Sequence, residues 1–511
     1  MRQTALQAFS AGYSPCSEPC LSSCLTMNAE KTRLLHSRYN PQGEAERFVN
    51  SLSLNERIRF FILIEPGLGY MIAPLKKKFP GAKIIALYAG NHPMKSENPP
   101  NLAAPDSEWS ADRGISVQDF LESEIPDTEA AELRMLEWRP ALSVYGSAYL
   151  ALVEETVEFI KRSDASARTL KSFGRRWFRN FLRNTGLLQN VLSPLPLSLP
   201  LLVTGAGPGL EGTIPLIKED ARQSKLFVLA SSSSVAALHA RNVIPNMVIS
   251  TDGGGWAAFH LHECFRNTGC PIAISMTAVL PSQSETRTIL PISDGSLWQI
   301  LILNELQIPF ITLPQRGTVA ASALDLAFTL TSNEIYIAGI DLANSDIRSH
   351  ARPYSLDFLQ EENAARLNPV YSQTYKRSSV LKTGGSYSIY ASWFEKQIEM
   401  YPKRLHSLGK NNPLFKNFDY SGFNSVSTDR TSEAEFSRES SEASFTFKTV
   451  TLHNKNNAPL KALTVLENAL NNPHYSQKLQ EELGILLFPG RETPSLEELA
   501  NALRRQGKEN R

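Results

Sequence analysis

The sequence predicts an α/β protein with a central, doubly wound and mostly parallel sheet. Short apolar runs recur between residues 199 and 420, helical periodicity separates most of them, and Gly-rich or polar turns follow several of them. This alternation is typical of a Rossmann-like sheet, in which ligands bind at the carboxyl ends of the strands. With 511 residues, 42% hydrophobic and 20% charged, the chain is expected to form about three globular domains.

Residues 1–27 are predicted to be a disordered leader, because they lack the apolar run of a signal peptide. Cys16, Cys20 and Cys24 have a spacing that would place three thiols on one helical face. Prolines disfavour a helix there and no fourth ligand is near, so we interpret them as incidental thiols and predict no metal site.

Residues 28–150 are predicted to form an N-terminal α/β domain. The apolar run 59–64, the turn 65–70, an apolar helix and the run 82–87 are typical of a βαβ unit. Gly67 and Gly69 lack a third glycine, and no acidic residue ends the second strand. A structural role is therefore favoured over nucleotide binding here.

A helical connector is predicted at 151–198. Asn180 and Asn184 lie one turn apart on one face, where side-chain amides can fix neighbouring backbone. A helix with a solvated Arg face explains the same spacing equally well.

The central domain is predicted to span residues 199–420 and to bind a nucleotide. Its predicted strands are 199–204, 226–230, 247–251, 272–276, 308–313 and 334–338.

After it, a flexible Ser/Glu-rich segment is predicted at 421–446 and a helical region at 447–511, where Ser495 and Glu498 form a capping box. No apolar run reaches about 18 residues, which predicts no membrane span and a cytoplasmic protein. The net charge of +1 provides no bulk attraction for nucleic acid.

A glycine loop follows the first strand of the central domain and precedes a helix. It comprises Gly205, Ala206, Gly207, Pro208 and Gly209. Backbone without Cβ atoms can approach a phosphate there, and the helix N-terminus favours negative charge; the alternative is a tight structural turn.

The next strand ends in Ser231, Ser232 and Ser233. An acidic residue that would hold a dinucleotide ribose is missing at this point, so NAD is disfavoured.

Further polar groups follow later strands of the same sheet. Asp252 precedes three glycines, and His350 lies in a polar segment after the last predicted strand. Other candidate binding residues at strand ends are Gly317, Thr318, Gly339, Asp341 and Leu342. Each is weak alone, since such an Asp is often a helix cap and a lone His is often structural, but all are expected at one edge of the sheet.

The order of these motifs resembles the motility-associated factor (Maf) glycosyltransferases, which modify flagellin and whose middle domain is similar to the bacterial sialyltransferase fold. The resemblance covers most of the chain. It is carried by residues 67–70, Arg176-Trp177 with Asn180 and Asn184, 205–210, 244–252, 317–320, 339–343 and 350–351. Where that family usually has Gly-Pro-Ser-Leu, this chain has Gly209 in place of the serine.

The resemblance implies transfer of a nonulosonic acid of the pseudaminic or legionaminic type from its CMP ester to Ser or Thr of flagellin. The glycine loop would hold the cytidine phosphate, His350 or Asp252 would act as general base, and no metal or other cofactor would be required.

Two alternatives remain. A similar core occurs in MptE-like hydroxymethylpterin pyrophosphokinases, which would use ATP and Mg²⁺ with Asp252 and Asp341 as ligands. The other alternative is a non-catalytic flagellar accessory protein.

Overall fold

The structure is a computed structural model. It describes residues 24–26, 32–53, 58–90, 102–125, 133–193, 196–222, 226–267, 269–342, 349–372, 386–408, 448–452, 457–489 and 494–509. The chain divides into two compact units, Met1–Lys171 and Ser172–Arg511. The predicted flexible segment 421–446 and all of the predicted leader except residues 24–26 lie outside the described residues. The sequence-based domain boundaries stay a prediction.

The first unit contains a parallel sheet of four strands with helices around it. The strands of this unit are β1 Cys24–Thr26, β2 Thr32–Leu34, β3 Phe60–Ile64, β4 Lys83–Tyr88, β5 Ser107–Ser110 and β6 Leu133–Glu137. The last four of them form the sheet. Its helices are α1 Pro41–Ser51, α2 Ile72–Lys78, α3 Val117–Glu124 and α4 Leu142–Tyr145. Strands β3 and β4 with α2 between them form the predicted βαβ unit.

The strand order of this sheet is β5-β4-β3-β6, and β1 pairs separately with β2. All its neighbouring pairs are parallel. The chain moves from β3 outward through β4 and β5 and then returns to the other side of β3. The order therefore reverses between β3 and β6, which is where open α/β sheets bind ligands.

Helix α5, Ser147–Leu187, contributes residues to both units. The strands of the second unit are β7 Asn190–Ser193, β8 Leu201–Thr204, β9 Phe227–Ser231, β10 Met247–Ser250, β11 Ile272–Ser275, β12 Thr288–Ser293, β13 Ile311–Thr312, β14 Ile335–Ala338, β15 Leu405–Ser407 and β16 Lys448–Thr451. Its other helices are α6 Leu210–Arg222, α7 Val235–His239, α8 Ala257–Asn267, α9 Leu297–Glu305, α10 Val319–Leu330, α11 Asp357–Glu362, α12 Ser386–Met400, α13 Ala458–Leu470, α14 Ser476–Leu487 and α15 Leu496–Glu509.

The sheet of the second unit has the order β15-β14-β8-β9-β10-β11-β12-β7-β16, with β13 beside β12. Only the β7–β16 pair among these is antiparallel. The residues of β8, β9 and β10 are all buried, which explains their continuous apolar sequences. From β8 the chain proceeds to β9 on one side and later places β14 on the other. The predicted doubly wound α/β fold is confirmed, and its strand order reverses between β8 and β14.

The C-terminal helices α13, α14 and α15 follow the antiparallel strand β16. The Ser495 hydroxyl accepts the Glu498 N–H at 3.2 Å, and the Glu498 carboxylate accepts the Ser495 N–H at 2.8 Å, as expected for a capping box. A search of the described helices for one that is long and apolar enough to cross a membrane finds none.

Candidate functional site

The glycine loop lies at the point where the order of the central sheet reverses. The N–H of Gly205 donates to the carbonyl oxygen of Ala338 at 2.8 Å, and that of Gly207 donates to Gly339 at 2.7 Å. A Cβ on Gly205 would lie 2.4 Å from the Gly339 oxygen. The glycines therefore allow two strand-end loops to pack backbone against backbone.

Asp341 covers this loop. Its Oδ2 accepts the N–H of Gly209 at 2.6 Å. A Cβ on Gly207 would lie 2.4 Å from Oδ2, and one on Gly209 would lie 2.6 Å from Oδ1. Burial raises the pKa of Asp341, and the Gly209 N–H opposes that rise. A side chain at position 209 would require the Asp341 carboxylate to move from this position.

The segment that carries His350 packs on the same loop. The N–H of Ala351 donates to the carbonyl oxygen of Ala206 at 2.8 Å, and the N–H of Arg352 donates to the Glu211 carboxylate at 2.8 Å. Leu342, with φ of 45°, ends the described part of the preceding loop. The hydrogen bonds of Ala351 and Arg352 fix His350 beside the glycine loop.

Four side chains form a cluster at this edge: Asp252, His260, His350 and Tyr354. The rings of His350 and Tyr354 stack with centroids 3.9 Å apart and an interplanar angle of 6°. The Tyr354 hydroxyl lies 3.4 Å from Nε2 of His260, and the charge of Asp252 acts on His260. The two candidate bases, His350 and Asp252, are thus joined through His260 and Tyr354.

His260 is buried and 7% exposed. Burial lowers its pKa to about 4, and the charge of Asp252 offsets part of this shift. Its ring is therefore neutral at neutral pH, and Nδ1 has no hydrogen-bond partner among the described residues. Asp252 is exposed, and its Oδ1 accepts the N–H of Gly254 at 2.7 Å. The cluster combines an exposed carboxylate with imidazoles, the groups from which a general base is drawn.

The serines after β9 lie next to the end of β8. Ser231 and Ser233 are within hydrogen-bond distance of each other, at 3.2 Å between their hydroxyl oxygens. Ser231 and Ser232 are buried, whereas Ser233 is partly exposed. The hydroxyl of Ser234 is used inside the fold, at 2.9 Å from that of Thr204. Ser233 is consequently the best placed of the three predicted serines to meet a ligand.

Gly317 and Thr318 have structural contacts of their own. Gly317 has φ of +73°, and a Cβ there would lie 3.1 Å from the Tyr390 ring. The Thr318 hydroxyl caps α10 by accepting the N–H of Ala320 at 3.3 Å. These contacts do not join the two residues to the cluster around His350.

The end of α5 fixes the loops after β10 and β11. The Asn180 amide donates to the carbonyl oxygens of Gly253 at 3.2 Å and Thr277 at 3.0 Å. The Asn184 amide donates to Met276 and Ala278, both at 2.9 Å. Of the two interpretations that the sequence left open, the fixing of neighbouring backbone is therefore correct.

We expect Asn184→Ala to lower the free energy of unfolding by about 2–3 kcal/mol, because it leaves two buried carbonyl oxygens without their donor. Asn180→Ala is the matched control and should cost about 1 kcal/mol, since Asn180 is only partly buried. Urea unfolding of both variants measures this difference. Equal losses would contradict it.

His260 and Tyr354 were not among the site residues predicted from the sequence. His260 lies inside α8, five residues after the last of the three glycines behind Asp252, and Tyr354 lies beyond a segment outside the described residues. Neither stands in a recognisable motif, and only the tertiary contacts show their role.

No group of three or more His, Cys, Asp or Glu side chains that could hold a metal ion occurs in the described ranges. Cys264 and Cys270 are buried. Cys16 and Cys20 lie outside the described residues, and Cys24 lies in β1.

Comparisons with known proteins bear on the same region. Residues 175–346 match the family model "6-hydroxymethylpterin diphosphokinase MptE-like". This range contains α5 from Arg175 on, the glycine loop, Asp252 and Asp341, and it confirms the predicted relation to MptE-like proteins. An uncharacterized protein of Treponema pallidum (strain Nichols) is 28% identical over 287 residues, which are 55% of this chain and 60% of that protein.

A solved structure of a MAf glycosyltransferase from Magnetospirillum magneticum AMB-1 is also similar. The two chains align with a TM-score of 0.44 and 10% identity over 99% of this chain and 88% of that one. A similarity of this size assigns no activity to the present chain.

Proposed function

We propose that the second unit transfers a sugar from a nucleotide-activated donor to a hydroxyl acceptor. In its specific form, the donor is a CMP-nonulosonic acid of the pseudaminic or legionaminic type, and the acceptor is Ser or Thr of flagellin in the cytoplasm during flagellum assembly. The order of motifs that resembles the Maf family supports this specific form.

The observation that carries the proposal is the position of the acid–base cluster. His350 packs beside the glycine loop, and Asp252 and His260 lie at the same edge of the sheet. Transfer requires a base that takes the acceptor proton while the bond from the sugar to the CMP phosphate breaks. The cluster supplies such bases, and the loop supplies a place for the nucleotide.

The carboxylate of Asp341 gives the nucleotide site a particular chemistry. It already accepts the hydrogen bond from the Gly209 N–H, so this N–H is not available to donate to a phosphate. A carboxylate accepts hydrogen bonds from hydroxyl groups and repels a phosphate of like charge, so it suits the ribose better than the phosphate. We therefore assign Asp341 to the ribose and Ser233 to the phosphate side of the donor.

The second candidate is the pyrophosphokinase activity, which the family match at 175–346 favours. It would need Asp252 and Asp341 on Mg²⁺. These residues follow β10 and β14, which are separated by β8 and β9. Three strand spacings are about 14 Å, more than one ion with Mg–O distances of about 2.1 Å would bridge. This separation argues against one shared Mg²⁺ ion.

A panel of ligands tests the proposal. CMP should raise the melting temperature more than ATP with Mg²⁺ or NAD, because a ligand that binds only the folded state stabilises it. A larger shift with ATP and Mg²⁺, abolished by chelation, would favour the pyrophosphokinase. Binding of CMP without any transfer to flagellin would favour the accessory protein.

Gly207→Val should abolish the CMP shift, because its side chain would displace Asp341 and the Gly339 carbonyl group. Gly212→Val is the matched control, since a Cβ at Gly212 meets nothing within 4 Å. If Gly207→Val folds and binds CMP as tightly as Gly212→Val, the loop is only a turn.

A further inference from the structure

Two charged side chains that the sequence did not single out contact the backbone that carries His350. Glu211 lies in the first turn of α6, just after the glycine loop, and Arg241 follows α7. Neither belongs to the acid–base cluster. Both are hydrogen-bonded to Arg352, two residues after His350, so they influence where His350 lies.

Three hydrogen bonds hold this backbone in place. The Ala351 N–H donates to the carbonyl oxygen of Ala206 at 2.8 Å, and the Arg352 N–H donates to Oε1 of Glu211 at 2.8 Å. The Arg352 carbonyl oxygen accepts from Nη1 of Arg241 at 2.5 Å. Side chains thus satisfy both backbone polar groups of Arg352, which belongs to no helix or strand.

Glu211 and Arg241 also contact each other. Nη2 of Arg241 lies 3.5 Å from Oε2 of Glu211, and the two side chains are 34% and 23% exposed. An ion pair of this length and exposure contributes little by itself. Nη1 of Arg241 also donates to the carbonyl oxygen of Ala237 at 3.2 Å, which ties the guanidinium group to α7. The hydrogen bonds to Arg352 are therefore the more important contacts of the pair.

The His350 side chain depends on this backbone, because the contacts of its ring lie within the same segment. The ring stacks on Tyr354, and its Nδ1 lies 2.9 Å from the Ser349 hydroxyl oxygen. Oδ2 of Asp357 accepts the Tyr354 N–H at 3.1 Å and lies 2.5 Å from Nη1 of Arg352. These contacts stabilise the segment internally but do not fix its position against the glycine loop.

We propose that Glu211 and Arg241 are positioning residues, which hold the stacked His350 ring beside the glycine loop through their hydrogen bonds to Arg352. Their role in transfer rests on the proposed function, in which His350 takes the acceptor proton. Because Glu211 begins the helix that follows the glycine loop, its carboxylate joins the nucleotide side of the site to the base. Displacement of a reacting group by about 1 Å can cost about 10²-fold in rate.

The position of the ring can be measured without an assay of transfer. With centroids 3.9 Å apart and an angle of 6°, the ring current of Tyr354 shifts the His350 ring protons upfield. In the full chain labelled with ¹³C-histidine, His350→Ala assigns these resonances and Tyr354→Leu gives the unstacked reference. Glu211→Met removes the acceptor of the Arg352 N–H and should abolish at least half of the upfield shift. A wild-type shift in Glu211→Met would overturn the proposal.

Further variants separate the hydrogen bond from the charge. Glu211→Gln keeps an oxygen that can accept the Arg352 N–H, so it should retain the upfield shift. Arg241→Met removes the donor to the Arg352 carbonyl oxygen and should lose at least half of the shift, which provides a second variant if Glu211→Met does not fold. Glu362→Met and Arg366→Met are exposed controls and should behave as the wild type. The proposal fails if Glu211→Gln loses as much of the shift as Glu211→Met.

Transfer provides a second measurement. At saturating donor and acceptor, Glu211→Met should lower the rate about tenfold or more, with CMP affinity within about threefold of the wild type, and Glu211→Gln should restore the rate. A loss of CMP affinity as large as the loss of rate would assign Glu211 to nucleotide binding and overturn its positioning role. A wild type without transfer would overturn the proposed function and with it the role in transfer, while the ring shifts would still decide whether Glu211 and Arg241 hold His350.

Discussion

Replacement of Glu65 by glutamine should stabilise the first unit by about 4 kcal/mol relative to wild type at pH 8 and by almost nothing at pH 4.5. Burial raises the pKa of Glu65 from 4.5 to about 8. Between these values the folded state holds a proton that the unfolded state has lost, so the stability of the wild type falls as the pH rises. The glutamine variant has no proton to lose and avoids this fall.

Hydrogen exchange of the β3 backbone amides measures the effect, because exchange of core strands reports the opening free energy of their own unit. His36 has the opposite sign: burial lowers its pKa from 6.5 to about 4, so it adds stability as the pH rises through that range. This contribution of His36 is the same in the wild type and in Glu65→Gln, so it cancels in the difference between their stabilities. A difference that stays constant from pH 5 to 8 would show that Glu65 is ionised in the folded protein.

The sequence indicated the central fold because its strands are buried on both faces. Such strands must be apolar throughout, and β8, β9 and β10 were predicted to within two residues at each end. Strands β7, β12, β15 and β16 were missed. β12 contains Pro291, and β15 has only three residues, so their pairing partners rather than their own sequences define them.

The predicted strand 308–313 reduces to Ile311–Thr312, which pairs only with β12. This run is interrupted by Pro309 and Thr312, and the described strands offer it a partner over only two residues. Tertiary contacts thus form strands that the local sequence did not predict, and they shorten one strand that it did predict.

The part of the candidate site that could be predicted follows from one rule, that ligands of open α/β sheets bind at the carboxyl ends of the strands. That rule brought Asp252, Asp341 and the glycine loop to one edge, which the topology supports. It did not show that Gly205 approaches the backbone of Gly339, or that His260 lies between the two candidate bases, since such contacts join residues distant in sequence. In the first unit, the absence of an acid after β4 favoured a structural role, and that interpretation stays a prediction; the buried acid of this region, Glu65, follows β3.

If the second unit transfers a sugar to flagellin as proposed, removal of the His350 side chain should slow that transfer at least ~10²-fold, the usual scale for loss of a positioned base. Its ring stacks on Tyr354, whereas the Gly209 N–H is bonded to Asp341, so His350→Ala should bind CMP with nearly the affinity of the wild type. His474→Ala, on the exposed surface of the C-terminal helices, is the matched histidine control.

Asp252→Asn separates the two candidate bases. If Asp252 only orients the sugar or the acceptor, the amide keeps the shape of the side chain and the hydrogen bond with Gly254, and transfer should fall less than in His350→Ala. Single-turnover rates, measured beside CMP affinity for each variant, distinguish the loss of a base from the loss of binding. A parental rate in His350→Ala together with a large loss in Asp252→Asn would assign the base to the aspartate. In that case His350 and Tyr354 would serve to hold the glycine loop, through the contact between Ala351 and Ala206.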